Sequence, residues 1–230
     1  MKNTTITAKL CFITITIASC SSAADVSVTP SVSTPPVVSA FVTAPSTTLM
    51  GVQRSYEYKG DVYTLGSKGP GGGTVYYIAQ SPFECGPELE STCSALEAAP
   101  TESEVRRGWA NDDLLDKPVQ GADRTDIGTG YVNTRDILRQ GSTDPLVSGA
   151  AYADTYIHGG KDDWYLPSKD EFLEMYEQRD TIGGFSIADY WSSSEEGSRK
   201  AWSQFFFSGN PQLLHPKNHY THYIRPIRAF

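Results

Sequence analysis

Long apolar runs are missing from this sequence: the longest near the start, Leu10 to Ala18, falls well short of the roughly 20 residues that a membrane-spanning helix needs. Cysteine is scarce, with 4 in 230 residues. Cys85 and Cys93 stand together with no further ligand close by, so a thiolate metal site is excluded. Basic residues are outnumbered, 19 Lys and Arg against 27 Asp and Glu for a net charge of -8. That balance argues against nucleic acid as a partner and against non-specific attachment to sulfated polysaccharide or anionic lipid. The glycine run at Gly69-Pro70-Gly71-Gly72-Gly73 lacks the Lys-Ser/Thr of a phosphate loop and leads into a strand pattern instead of a helix. A Gly-x-Ser-x-Gly nucleophile elbow is absent, as is any Gly-X-Y repeat.

What is present begins with a leader. Lys2 and Lys9 precede the short apolar run, and Ile17-Ala18-Ser19-Cys20 follows it. This tetrad resembles the lipobox of bacterial lipoprotein signal peptides, which implies cleavage after residue 19 and a lipid on Cys20. An ordinary secretory leader cleaved near Ala23-Ala24 is the alternative, and either one exports the chain. Residues 20–53 follow, rich in Ser, Thr, Val, Ala and Pro and almost without charge. Such a composition buries no core and reads as an extended tether. In an oxidising compartment the remaining pair, Cys85 and Cys93, is most simply a disulfide.

The folded domain is expected over 54–230. Tyr56 to Leu65 reads as one or two short strands, the glycine run as a turn, and Thr74 to Ala79 as a strand. Two short helices are expected next, one capped by Asn133 and the other by Asp144 with Pro145 at its first position. Leu146, Val147, Ala150 and Ala151 supply the buried stripe of the second.

The stretch DDWYLPSKDEFLEMY, Asp162 to Tyr176, organises the rest. Trp164 to Leu166 is extended, Pro167 makes a corner, and Ser168 with Glu171 spells a capping box. Phe172, Leu173, Met175 and Tyr176 then form one apolar helix face, with a stop at Gly183-Gly184. Strands follow at Tyr190 to Ser193, Ala201 to Phe207 and Tyr223 to Phe230, separated by turns at Glu196-Gly197 and Gly209-Asn210-Pro211. The class is α+β with a mostly antiparallel sheet.

Seven motifs in order, GPGGGTVYYIA, LEAAP, IGTGYVNT, DWYLPSKDEF, YWSSSEE, AWSQFF and YIRPIRAF, resemble the family named after the C-terminal domain of the Legionella collagen-like adhesin. The resemblance runs from about Tyr56 to Phe230. It implies a C-type-lectin-like domain, a short twisted sheet flanked by two or three helices, with paired terminal strands and long loops that present a binding surface. It places Tyr223 to Phe230 beside the first strands and Trp191 and Trp202 near the core. That family's named member binds sulfated glycosaminoglycans. This chain lacks the collagen-like stalk and is acidic, which argues for a different ligand.

Candidate sites follow. Trp109, beside Arg106 and Arg107 in a loop, is the aromatic residue expected to be exposed and able to stack on a sugar. Asp112, Asp113 and Asp116, with Asp123 and Asp126 nearby, offer oxygen ligands for calcium, against the plainer reading of a solvated loop. His215, His219 and His222 suggest zinc, but Pro216 and Asn218 deny them a helix, and on a strand His222 points away from the other two. Exposed histidines in a hairpin loop are the expectation. Glu195 and Glu196 diverge on a strand and form no hydrolase pair; Glu195 is expected to pair with Arg225 or Arg228. The sum is a surface-anchored, non-catalytic module for a glycan or protein ligand, touching the membrane only through its lipid. The alternatives are an enzyme acting on cell-envelope polymers and a structural envelope lipoprotein.

Overall fold

A computed structural model describes residues 54–207 and 212–230. The leader, Cys20, the tether at 20–53 and the turn at 209–211 lie outside the described residues. The domain opens with a hairpin, β1 (Ser55–Tyr58) and β2 (Asp61–Thr64), turning at Lys59-Gly60 where both residues have positive φ. β3 (Thr74–Cys85) and β4 (Ser91–Ala98) form a second antiparallel pair, stapled near its tip by the Cys85–Cys93 disulfide with a Cα separation of 6.0 Å. β3 outruns its expected end because its outer half is bulged and solvent-exposed, which erases the apolar alternation that marks a strand. β4 had no strand signature at all. Its Ser-Ala-Leu-Glu-Ala composition favours helix, and pairing on both sides overrides that preference.

The middle of the chain carries β5 (Val105–Arg106) and two helices, α1 (Gly130–Arg139) and α2 (Gly149–Thr155). Both begin elsewhere than expected. α1 starts a turn earlier, and Asn133 lies buried inside it, donating to the Arg124 carbonyl at 2.7 Å. α2 is capped by Ser148, whose hydroxyl accepts from the Ala151 amide at 3.2 Å. Asp144 instead accepts from the Leu146 amide at 2.8 Å in a local turn, a use of Asp that competes with capping. Leu146 is therefore exposed, and Ala150, Ala151 and Ala153 form the buried stripe.

α3 (Lys169–Glu177) carries the expected capping box in full. Phe172, Met175 and Tyr176 pack into a cluster with Tyr76, Leu96, Tyr165, Tyr190 and Ile227, while Leu173 turns to solvent. A single-turn α4 (Arg179–Ile182) follows and stops at Gly183, so among the described residues four α-helices flank the sheets instead of two or three.

β6 (Asp189–Glu196), β7 (Lys200–Phe205) and β8 (Leu213–Pro216) form a meander, joined by β9 (Tyr223–Ile224), and the last strand is β10 (Ile227–Ala229). The five-stranded sheet runs β5-β9-β6-β7-β8, with one parallel contact where Tyr190 faces Tyr223. The three-stranded sheet runs β10-β4-β3. The chain thus changes sheets between Ile224 and Ile227 and ends beside the first strands, where Phe230 packs against Tyr56, Tyr58 and Tyr63. Trp164 and Trp191 are core residues, but Trp202 is half-buried on the opposite side, under the Lys169 ammonium at 4.5 Å.

Glu171 locks this frame. One carboxylate oxygen accepts from the Ser168 amide at 2.7 Å, and the other from the Gly128 amide and the Tyr165 hydroxyl, each at 2.9 Å. A Cβ at Gly130 would stand 2.3 Å from that carboxylate, so glycine alone permits the approach. Complete burial outweighs the hydrogen bonds and raises the Glu171 pKa from 4.5 to about 7. With the folded value above the unfolded one, its contribution to stability is full below pH 4.5 and is lost as pH rises through about 7. Burial depresses His215 and His222, which act in the opposite sense as pH falls, so the term must be isolated by difference. Urea titrations of the chain and of Glu171→Gln are expected to show a stability gap roughly 3 kcal/mol wider at pH 4.5 than at pH 8. A gap independent of pH would contradict this account.

Candidate functional site

The loops that leave β5 and enter β9 hold most of the residues singled out from sequence. Trp109 is not on the surface. Its ring is fully buried, its indole N–H donates to the Ser192 carbonyl at 2.9 Å, and the Lys217 ammonium lies 4.5 Å above it. The neighbouring arginines face outward while the tryptophan points into the core beside Leu114, Trp191 and Ile224. Arg106 is exposed and stacks on Tyr223 at 4.7 Å. Arg107 covers Tyr152 and donates to the Pro145 carbonyl at 2.8 Å. Both guanidiniums are thus engaged with the protein itself.

Lys217 explains a second correction. Glu195 pairs with this fully buried lysine at 2.5 Å and accepts from the Val119 amide at 2.8 Å. Arg225 and Arg228 are committed elsewhere, to Glu104 at 2.8 Å and to Glu97 at 3.1 Å. Burial pushes Lys217 down and Glu195 up, and the contact between them opposes both shifts. The lysine also donates to the Lys117 carbonyl at 3.0 Å, so one side chain ties the loop before β9 to the loop after Trp109.

The acidic loop does not converge. Asp112 accepts from the Tyr220 hydroxyl, and Asp116 pairs with Arg199 at 3.1 Å in full solvent. Asp113 is exposed. Among the described residues the group of three or more acidic, cysteine or histidine side chains close enough to share an ion is His215, His219 and His222. Their ligand nitrogens all lie within 4.8 Å of one another, against the expectation of divergence. β8 ends at Pro216 and the chain turns back on itself, so the two-residue strand period that separated His222 does not apply.

A concave surface lies on the other sheet. A cleft of about 350 Å³ opens beside the Cys85–Cys93 disulfide, lined by Tyr58, Tyr131, Tyr165 and Phe230 with the Asp163–Arg228 pair. Tyr131 stands edge-on to Tyr165 with ring centroids 5.7 Å apart. Arg228 is nearly buried and oriented by Glu97, whereas Asp163 remains 45% exposed. A larger hollow of about 660 Å³ between β3 and α3 is more open to solvent, so it is the weaker candidate. No signal in the sequence marked this cleft, because its rings come from β1, α1, the segment before α3 and the chain terminus.

No family model matches the chain, and no curated protein matches it.

Trp109 is a support for the loops and not a ligand contact. Trp109→Ala is expected to cost about 3–5 kcal/mol in denaturant unfolding, since it also uncovers the Lys217–Glu195 pair. A change under about 0.5 kcal/mol, typical of a surface position, would return the ring to the list of binding residues.

Proposed function

We propose that this chain is an exported binding protein, lipid-anchored at Cys20, whose C-type-lectin-like domain recognises a glycan without acting on it chemically. The observation that carries this reading is the cleft at Tyr58, Tyr131, Asp163 and Arg228. Sugar rings present an apolar C–H face and a fringe of hydroxyls. A tyrosine ring suits the first. A carboxylate beside a guanidinium suits the second, because one accepts hydroxyl protons and the other donates in a fixed fork. Concave sites with aromatic walls and few, well-placed polar groups are the usual form of small-ligand sites.

The α+β architecture fits the resemblance in outline, but the expected pairing of the terminal strands is absent among the described residues: β1 pairs β2, β10 pairs β4, and the two ends meet through the ring of Phe230. The lipid, the tether and the envelope location rest on the sequence alone. The acidic balance of the chain, -8 overall, favours a neutral glycan over a sulfated one.

A glycan array probed with the full chain tests the reading, with Tyr131→Ala and Asp163→Asn alongside. Saturable binding to neutral glycans is expected, weakened at least about tenfold in each variant, a loss of about 1.4 kcal/mol, with unfolding midpoints close to that of the parent. Binding indifferent to both substitutions would remove the cleft from consideration. Release of fragments from envelope polymers would transfer the case to an enzyme.

A further inference from the structure

The loop between β8 and β9 gathers imidazoles that the glycan reading does not use. His215 Nδ1 and His222 Nε2 are 2.7 Å apart, and the ring of His219 lies 5.4 Å from each of theirs. We propose that His215, His219 and His222 form a binding site for a divalent transition-metal ion of the zinc type, with the remaining coordination position open to solvent.

Distance comes first. Nitrogens bound tetrahedrally at 2.0–2.1 Å from zinc stand about 3.3 Å apart. The 2.7 Å contact must open slightly and the widest separation, within 4.8 Å, must close. His219 is the exposed member, and rotation of an exposed side chain supplies that closure at little cost. The other two are already fixed. His222 is buried and stacks on Trp191 with ring centroids 4.2 Å apart and planes within 22°. His215 sits on β8 with Ser203 Oγ 2.9 Å from the same Nδ1 that faces His222, so the hydroxyl gives up this contact when Nδ1 takes the ion.

The loop itself is held from several sides. The Lys217 amide donates to the Arg199 carbonyl at 3.0 Å, its ammonium is buried against Glu195, and the Arg107 amide donates to the His222 carbonyl at 3.2 Å. The Tyr220 hydroxyl reaches Asp112. Such anchoring means that little conformational entropy remains to be lost when an ion binds.

Ligand chemistry sets the class. Three imidazoles suit zinc, copper or nickel, while calcium and magnesium require oxygen. Counter-charge is at hand in Asp189, which lies on the face of the five-stranded sheet that also presents Trp191. Its carboxylate acts on His215 electrostatically, and its buried Oδ1 has no hydrogen-bond partner. Three protein ligands with one exposed flank leave a position for water or a further ligand. The inference concerns a different sheet from the cleft and stands or falls apart from the glycan reading.

The test uses the full chain, stripped by chelator and titrated calorimetrically with zinc chloride. One equivalent is expected to bind saturably, and calcium chloride is expected to give no saturable heat. His219→Ala changes an exposed side chain; its metal-free unfolding midpoint is expected to match the parent's while zinc binds at least about tenfold more weakly. Cobalt loaded in place of zinc is expected to show the strong visible absorption of a tetrahedral site, lost in the same variant. Zinc affinity unchanged by His219→Ala, or no saturable binding of zinc, would overturn the proposal.

Discussion

The buried carboxylate of Glu171 is the constraint on which the rest of the domain depends. It belongs to α3 but accepts from Gly128, Tyr165 and Ser168, so it fixes the start of α3, the entry to α1 and the segment that bridges to β10. Removing a carboxylate from water costs several kcal/mol, and only well-aimed donors offset it. Two other glutamates repeat the device. Glu97 accepts from the Gly71 and Gly73 amides at 2.8 and 2.9 Å and from Arg228. Glu195 accepts from Val119 and from Lys217. Each pairs orphan amides of a long loop that no strand or helix would satisfy. A domain whose loops exceed its regular elements is held together in this way by carboxylates working from inside.

That arrangement explains what could be read in the sequence. The capping box was legible because Ser168 and Glu171 are local, three residues apart, and their chemistry is set by the helix end itself. The turn at Glu196-Gly197 between β6 and β7 was legible for the same reason, whereas Tyr56 to Leu65 read only as one or two short strands, without the turn at Lys59-Gly60 that pairs them. β4 was not, because its strand state comes from β3 and β10, distant in sequence. Trp109 was misplaced because charged neighbours suggested a surface, whereas its depth is decided by Ser192 and Lys217. The histidines were misjudged because convergence is produced by the turn after Pro216, and a turn is not a period. Local rules gave elements; the cleft is made by contacts between residues distant in sequence, such as Asp163 with Arg228, 65 positions apart, and Glu97 with Arg228, 131 apart.

The same internal carboxylates also bear on what the cleft admits. Arg228 is its one buried cation, and it is shared between Glu97 and Asp163. Burial raises the Glu97 pKa while its amide donors and Arg228 oppose the rise. Whichever protonation state Glu97 adopts, Asp163 and Arg228 already balance, so these three residues carry no surplus positive charge. A sulfate or phosphate entering there would meet a guanidinium already paired with two carboxylates, inside a chain of net charge -8, and would lose hydration without meeting net positive charge. A hydroxyl pays far less to leave water and finds an acceptor in the exposed oxygen of Asp163 and a flat ring in Tyr131. The electrostatics that hold the fold therefore also narrow the proposed glycan reading, from glycans in general to neutral ones.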